Sequence, residues 1–156
     1  MHDLEAVVSI YNQAINAGFQ TCFTTPISTL DKADWLQKHL CEEYPVLVFE
    51  QGGKVIGWLS IGPYREGRAA LNRTVEISYF VDNQYFGQGI GCQLLSYGTE
   101  VCRKLNYKVA LAIILEPNVA SIKLAEKCGY EKWGFLPGVA DFDGVVCGQF
   151  YYGIKL

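Results

Sequence analysis

The sequence predicts an α+β domain built on a mixed sheet with helices on its faces. Two observations lead there. Apolar residues recur at helical spacing in four segments, while runs of β-forming residues separate or follow them. The elements come in the order helix, helix, strand pair, strand, helix, strand, helix, strand pair, which is neither a bundle nor an all-β pattern. The 156 residues are half apolar and contain no linker, repeat or low-complexity stretch, so residues 1–156 read as one domain around one core.

Each element has its own signal. Leu4 to Ala17 carries apolar residues at 4, 7, 8, 11, 14 and 15, with Asp3 as N-cap and Gly18 as stop. After a "TTPIS" loop, Asp31 to Tyr44 reads as a second helix closed by Pro45. "PVLVFEQGGKVIGWLSIGP" reads as two strands around a "QGGK" turn. The polar loop 64–73 leads into "TVEISYFV", a strand, and Ile90 to Leu105 forms the third helix. "KVALAIIL" is continuously apolar, as a buried central strand is. Asn118 caps a helix running to Cys128, and the remainder gives two strands joined near "DFDG".

Composition excludes several classes of function. The net charge is −3 with no basic block, which argues against a nucleic-acid partner. No run of about eighteen apolar residues is present to span a membrane. The first residues carry acids and no basic region, unlike a signal peptide, so a cytoplasmic location is expected. The six cysteines, at 22, 41, 92, 102, 128 and 147, form no C-x-x-C pair and read as reduced small hydrophobes. His2 and His39 are the only histidines and lack ligand spacing, so neither a metal site nor a Ser-His-Asp or Cys-His centre is expected.

The candidate chemistry begins at "FGQGIG", residues 86–91, between a strand and a helix. Glycines admit positive φ and close approach of a ligand, and a helix N-terminus offers unpaired N–H groups. The amides of Gly87, Gln88, Gly89, Ile90 and Gly91 are therefore candidate phosphate donors. The Walker ending is absent, and Cys92 suits the dinucleotide fingerprint poorly. From these residues alone the loop is either a phosphate cradle or a permissive turn. Glu76 lies within a β-forming run where carboxylates are depleted, on one face with Ser78 and Phe80. It is either a general base or an ordinary strand carboxylate.

The loop resembles the central motif of the GNAT superfamily of N-acetyltransferases: Arg or Gln, two residues, Gly, one residue, then Gly or Ala. "LEPNVASIKLAEKCGY" is similar to the family's next strand, Asn and helix. "IYNQAI", "YPVLVFEQGGKVIGWLSIGPYR" and "TVEISYFVDNQYFGQGIG" resemble the phosphinothricin and amino-acid N-acetyltransferase branch. The resemblance implies a mixed, mostly antiparallel, twisted sheet whose first strand is missing here. It implies acetyl-CoA as co-substrate, without metal, and a small-molecule primary amine as acceptor, such as an amino acid or a phosphinothricin or methionine-sulfoximine analogue. It also implies a homodimer.

By the same resemblance Glu76 is the base, acting through water. The loop amides hold the pyrophosphate, and an amide near Phe80 or Val81 holds the oxyanion. Leu111 and Ile113 lie across the slot and offer only their main-chain polar groups, their side chains being core, while Asn118 and Ser121 contact the pantetheine arm. Lys123 and Lys127 lie within reach of the phosphates or are solvated helix lysines. Trp58, Tyr64, Arg65, Arg73 and Ser78 line the acceptor site. Three positions depart from the pattern. Phe86 replaces the polar first residue, Ala125 stands where a Tyr or His acid is usual, and Asn72-Arg73 stands where the branch has Arg-His. Those departures leave two alternatives: a non-catalytic acetyl-CoA-binding regulator, or an acetyltransferase acting on a protein or peptide.

Overall fold

The computed structural model describes residues 3–39 and 42–156. Six strands form one sheet: β1 (Val46–Gln51), β2 (Lys54–Pro63), β3 (Thr74–Val81), β4 (Val109–Leu115), β5 (Glu131–Phe142) and β6 (Val145–Lys155). Four helices accompany them: α1 (Leu4–Ala17), α2 (Thr29–Lys38), α3 (Ile90–Lys104) and α4 (Val119–Lys127). The sheet order is β1-β2-β3-β4-β6-β5. Every pairing is antiparallel except β3 with β4. This is the mixed, mostly antiparallel sheet expected. Among the described residues no strand precedes α1.

Local chemistry accounts for the hairpins. Gly52 and Gly53 have φ of 60° and 77°, and Asp143 and Gly144 have φ of 51° and 92°. Two consecutive positive φ values suit the twist of a tight hairpin, which is why "GG" and "DG" stand at these turns.

Helix α2 differs from the sequence expectation of 31–44. Ser28 is the N-cap: its hydroxyl accepts the Asp31 amide at 3.2 Å, while Asp31 Oδ2 accepts the Ser28 amide at 2.8 Å. This capping box sets the start two residues earlier than the apolar pattern suggested. The helix ends at Lys38, and residues 42–44 bend toward β1. Leu40 and Cys41, within the expected helix, lie outside the described residues.

The helices divide between the two faces. Helix α1 buries Val7, Ile10, Tyr11 and Ile15 against Val55 and Trp58. Two bonds of 2.9 Å between the Asn12 side chain and the main chain of Ile27 tie the segment before α2 to α1. Helix α3 buries Ile90, Leu94, Leu95 and Cys102 against Ile56, Leu59, Val75 and Ile77 on the opposite face. Because side chains alternate along β3, Val75 and Ile77 face α3, and Glu76, Ser78 and Phe80 face α1 and α2.

Close approach of α3 depends on Gly98. A Cβ there would lie 2.7 Å from Leu59 Cδ1, inside a fully buried layer. Gly98→Val is therefore expected to cost about 1–3 kcal/mol through overpacking, lowering the melting temperature by several degrees. A melting curve equal to or above that of the parent would overturn this packing account.

Candidate active site

The site begins where two strands part. β3 and β4 pair at Thr74↔Val109, Val75↔Ala110 and Glu76↔Leu111, and no pairing continues beyond. β3 nevertheless runs on to Val81 and β4 to Leu115. On its other side β3 stays in unbroken register with β2, from Pro63↔Val75 to Gly57↔Val81. The Tyr64 amide donates to the Thr74 carbonyl at 3.3 Å, and the Asp82 amide to the Ile56 carbonyl at 2.9 Å. Hydrogen-bonded pairs alternate in an antiparallel ladder, so the even residues of β3 bond to β2. The odd residues turn their main-chain groups toward β4. Past Glu76, the N–H groups of Tyr79 and Val81 face an opening rather than a strand.

This parity refines the expected oxyanion donor. Val81 keeps an amide directed into the gap, whereas the Phe80 amide belongs to the ladder with Trp58. Phe80 contributes its ring instead, which packs against Trp58 and Tyr11 with centroids 4.7 and 4.9 Å away.

Two cavities meet at the gap. One, about 410 Å³, lies beside the glycine loop and α4 and is lined by Val81, Phe86, Gly87, Gly89, Ile90 and Gly91. The other, about 340 Å³, lies under α1 and α2 and is lined by Glu76, Ser78, Trp58 and Ser60. Gln20, Tyr79, Phe80, Asn118 and Ser121 line both. Ile113 lines the second cavity, whereas Leu111 is buried and lines neither, as a core side chain does.

The loop has the geometry of an anion cradle. Gly87 and Gly89 have φ of 76° and 79°, and a Cβ on either would meet no protein atom within 4 Å. Gly89 is the left-handed N-cap of α3, and its carbonyl accepts the first helical bond, from Gln93. Among the described residues, no protein acceptor takes the amides of residues 87–92. Unpaired amides at a helix N-terminus form an electropositive surface. Lys123 and Lys127 line the same cavity from α4. Gly91 has a second reason to be glycine, because a Cβ would stand 2.5 Å from Leu124 Cδ1. Gln88, also expected in the cradle, is absent from the cavity wall.

Asn118 is the N-cap of α4: its Oδ1 accepts the Ser121 amide at 3.2 Å, and the residue also lines both cavities. Ser121 presents its carbonyl to the Tyr79 hydroxyl, which donates at 3.3 Å. Tyr79 escaped the sequence reading. Alternation places it on the core face of β3, and only the parting of the strands brings its ring to both cavities. Burial pushes its phenol above the ordinary value of 10.0. Cys128 sits behind this wall with its Sγ 3.1 Å from Cys92 Sγ, and burial pushes its thiol up to about 11.

Glu76 is partly buried, with its pKa raised above 4.5 by desolvation and partly restored by the nearby Arg65 guanidinium. Arg65 stacks over the Tyr64 ring at 5.2 Å, and Tyr64 meets Tyr151 edge-on at 6.3 Å. Neither Tyr64 nor Arg65 lines the Glu76 cavity, though Arg65 acts on the carboxylate through its field. The structure does not bring Arg73 to the site. Its Nη2 and Nε donate to the Asn106 carbonyl at 2.6 and 3.1 Å, on the exposed surface. Three residues before Glu76 on an alternating strand, its side chain leaves the opposite face.

The sequence reading also missed Lys32, Trp35, Tyr11 and Cys22, which line the Glu76 cavity from outside the strands. No motif marks them, because the packing of α1 and α2 over β2 and β3 is what assembles them. Among the described residues no group of His, Cys, Asp and Glu has metal-binding geometry, and no helix is long and apolar enough to cross a membrane.

A strand pair that opens onto a glycine loop at a helix N-terminus, with a carboxylate on the adjoining face, defines a GNAT-type acyltransferase site. The acetyltransferase (GNAT) family model matches residues 12–130. The chain belongs to that family and is an N-acetyltransferase. YwnH of Bacillus subtilis, provisionally named a phosphinothricin acetyltransferase, is 38% identical over 143 residues, covering 91% of this chain and 86% of that one. The L-methionine sulfoximine/L-methionine sulfone acetyltransferase of Pseudomonas aeruginosa is 33% identical over 138 residues, covering 88% and 80%. A phosphinothricin acetyltransferase from Sinorhizobium meliloti, solved in complex with acetyl-CoA, superposes with a TM-score of 0.93 at 27% identity, covering 99% and 84%.

Proposed function

We propose that this chain transfers the acetyl group of acetyl-CoA to the primary amine of a small molecule of amino-acid type, with Glu76 as general base through water. The observation that carries this reading is the meeting of the two cavities. A phosphate cradle and a buried carboxylate open onto one gap from opposite faces of β3.

The residues present suit acetyl-CoA. The free amides of 87–92 and the lysines of α4 match a pyrophosphate. The main-chain edges of β3 and β4 match an extended arm, as a missing strand would. Phe86 removes a side-chain donor from the loop but no amide. When bound, acetyl-CoA supplies an activated thioester and a thiolate leaving group. This agrees with the neighbour from Sinorhizobium meliloti, solved with acetyl-CoA. The acceptor class follows the two named relatives, and a cavity of about 340 Å³ favours a small molecule over a protein surface.

Each step then has a residue. An ammonium does not attack, so Glu76 must accept its proton, and its raised pKa makes it a better base than an exposed carboxylate. The amide of Val81 stabilises the charge that develops on the carbonyl oxygen. Tyr79 holds a protonated hydroxyl at the junction of the two cavities, whereas Ala125 is buried in the core and lines neither. Full proton transfer from it would be uphill, since its pKa stands above 10.0 and a thiol titrates near ~8.5. Its one hydroxyl proton rests on the Ser121 carbonyl, and its role is to turn from that acceptor and hydrogen-bond the departing sulfur.

Three variants test this reading, using thiol release with L-methionine sulfoximine, phosphinothricin and a wider amine panel. Glu76→Gln is expected to lower kcat by roughly 10²–10³. Since only the deprotonated carboxylate serves, kcat/KM should rise with pH through a limb above 4.5 that the variant lacks. Unchanged rates would remove Glu76 from the mechanism. Gly89→Val should raise the Kd for acetyl-CoA at least tenfold while the apo protein stays folded; an unaltered Kd would reduce the loop to a turn. Tyr79→Phe should lower kcat about tenfold without changing acetyl-CoA binding, and parental kcat would exclude the donor.

A further inference from the structure

Lys32 is nine-tenths buried, and it lines the Glu76 cavity. Its ammonium sits among three aromatic faces: 3.4 Å from the Trp35 ring centroid, 4.6 Å from Tyr11 and 5.4 Å from Trp58. Ring faces stabilise a cation without neutralising it. Among the described residues no carboxylate or hydrogen-bond acceptor pairs with it, and a buried charge ordinarily has such a partner. Burial lowers its pKa to about 8, which leaves it mostly protonated at neutral pH.

The surroundings define what is missing. Among the described residues lining this cavity, Lys32 is the sole Lys or Arg and Glu76 the sole Asp or Glu. Close by, Trp58 Nε1 is buried without an acceptor, so a second donor is unanswered. The cavity thus presents a fixed cation and a base within one enclosure. Arg73 is held by Asn106 on the surface and cannot serve as the cation.

We propose that Lys32 is the specificity residue of the acceptor site, anchoring a carboxylate or other oxyanion on the acceptor while its amine faces Glu76. This rests on the acetyl-transfer reading above. The aromatic cage positions the ammonium, and the anion completes its charge pairing. An acceptor without an acidic group would leave that ammonium desolvated and unpaired, which disfavours its binding.

The test pairs acids with their amides. L-amino acids, methionine sulfone and straight-chain ω-amino acids of increasing length are each assayed beside the corresponding carboxamide. The proteins are wild type, Lys32→Met, which keeps the stem on the rings, and Lys32→Arg, which keeps the charge. Tryptophan fluorescence, to which Trp35 and Trp58 contribute beside the distant Trp133, is titrated with the same compounds. Wild type is expected to favour acid over amide at least tenfold in kcat/KM, through KM. Lys32→Met should reduce that ratio to within threefold, the loss falling on the KM of the acids more than on that of the amides, and Lys32→Arg should retain part of it. An unchanged ratio in Lys32→Met, or an equal loss for acid and amide with a matching fall in melting temperature, overturns the proposal. If wild type turns over no amine, yet acids shift its fluorescence and Lys32→Met abolishes the shift, the transfer reading fails and the anchor stands. If no acid is either turned over or seen to shift the fluorescence, both fail.

Discussion

The rest of the molecule depends on the loss of hydrogen bonds between β3 and β4 after Glu76 and Leu111. Two neighbouring strands at the centre of a sheet part while each keeps its other partner. The unpaired main-chain groups are costly if buried and unmet, and in the proposed function they are the means of binding an extended ligand. β2 and β6 hold the outer edges of the two strands in full register. The folded sheet therefore maintains an opening shaped like one absent strand.

Everything functional is placed relative to that opening. The register of β3 decides which amides face it, so Val81 is presented and Phe80 is not. The α3 N-terminus stands at its wide end because β3 runs directly into the loop at 82–89. Helix α4 begins four residues after β4 and brings Asn118 and Ser121 to the same place. On the other face, α1 and α2 close the gap into a cavity whose walls are aromatic and whose charged residues, among those described, are Lys32 and Glu76. That enclosure excludes water from the carboxylate, raising its pKa, and from the ammonium, lowering its pKa, for the same reason: desolvation disfavours the charged form.

Legibility in the sequence followed the range of the interaction. The four helices, the six strands and both glycine-bearing hairpins were readable, because periodicity and turn chemistry act over a few residues. Helix α2 was placed too late because its start is set by the Ser28–Asp31 box, while its polar composition gives a weak apolar stripe. Glu76, the glycine loop and Asn118 were legible as residues out of keeping with their surroundings or matching a known motif. Arg73 carried the right charge on the wrong face. Lys32, Trp35 and Tyr79 left no mark, being an ordinary helical lysine, a core tryptophan and a strand tyrosine.

By itself, then, the sequence determined the elements, their order, the glycine loop at the start of α3 and the carboxylate of the adjoining strand. These are local properties, written in spacing, in glycine's tolerance of positive φ and in alternation along a strand. Only the tertiary structure decided where β3 leaves β4, which amides that exposes, and which cation shares a cavity with Glu76. Strand register and helix docking are set by packing between segments tens of residues apart. No short stretch of the chain carries that information.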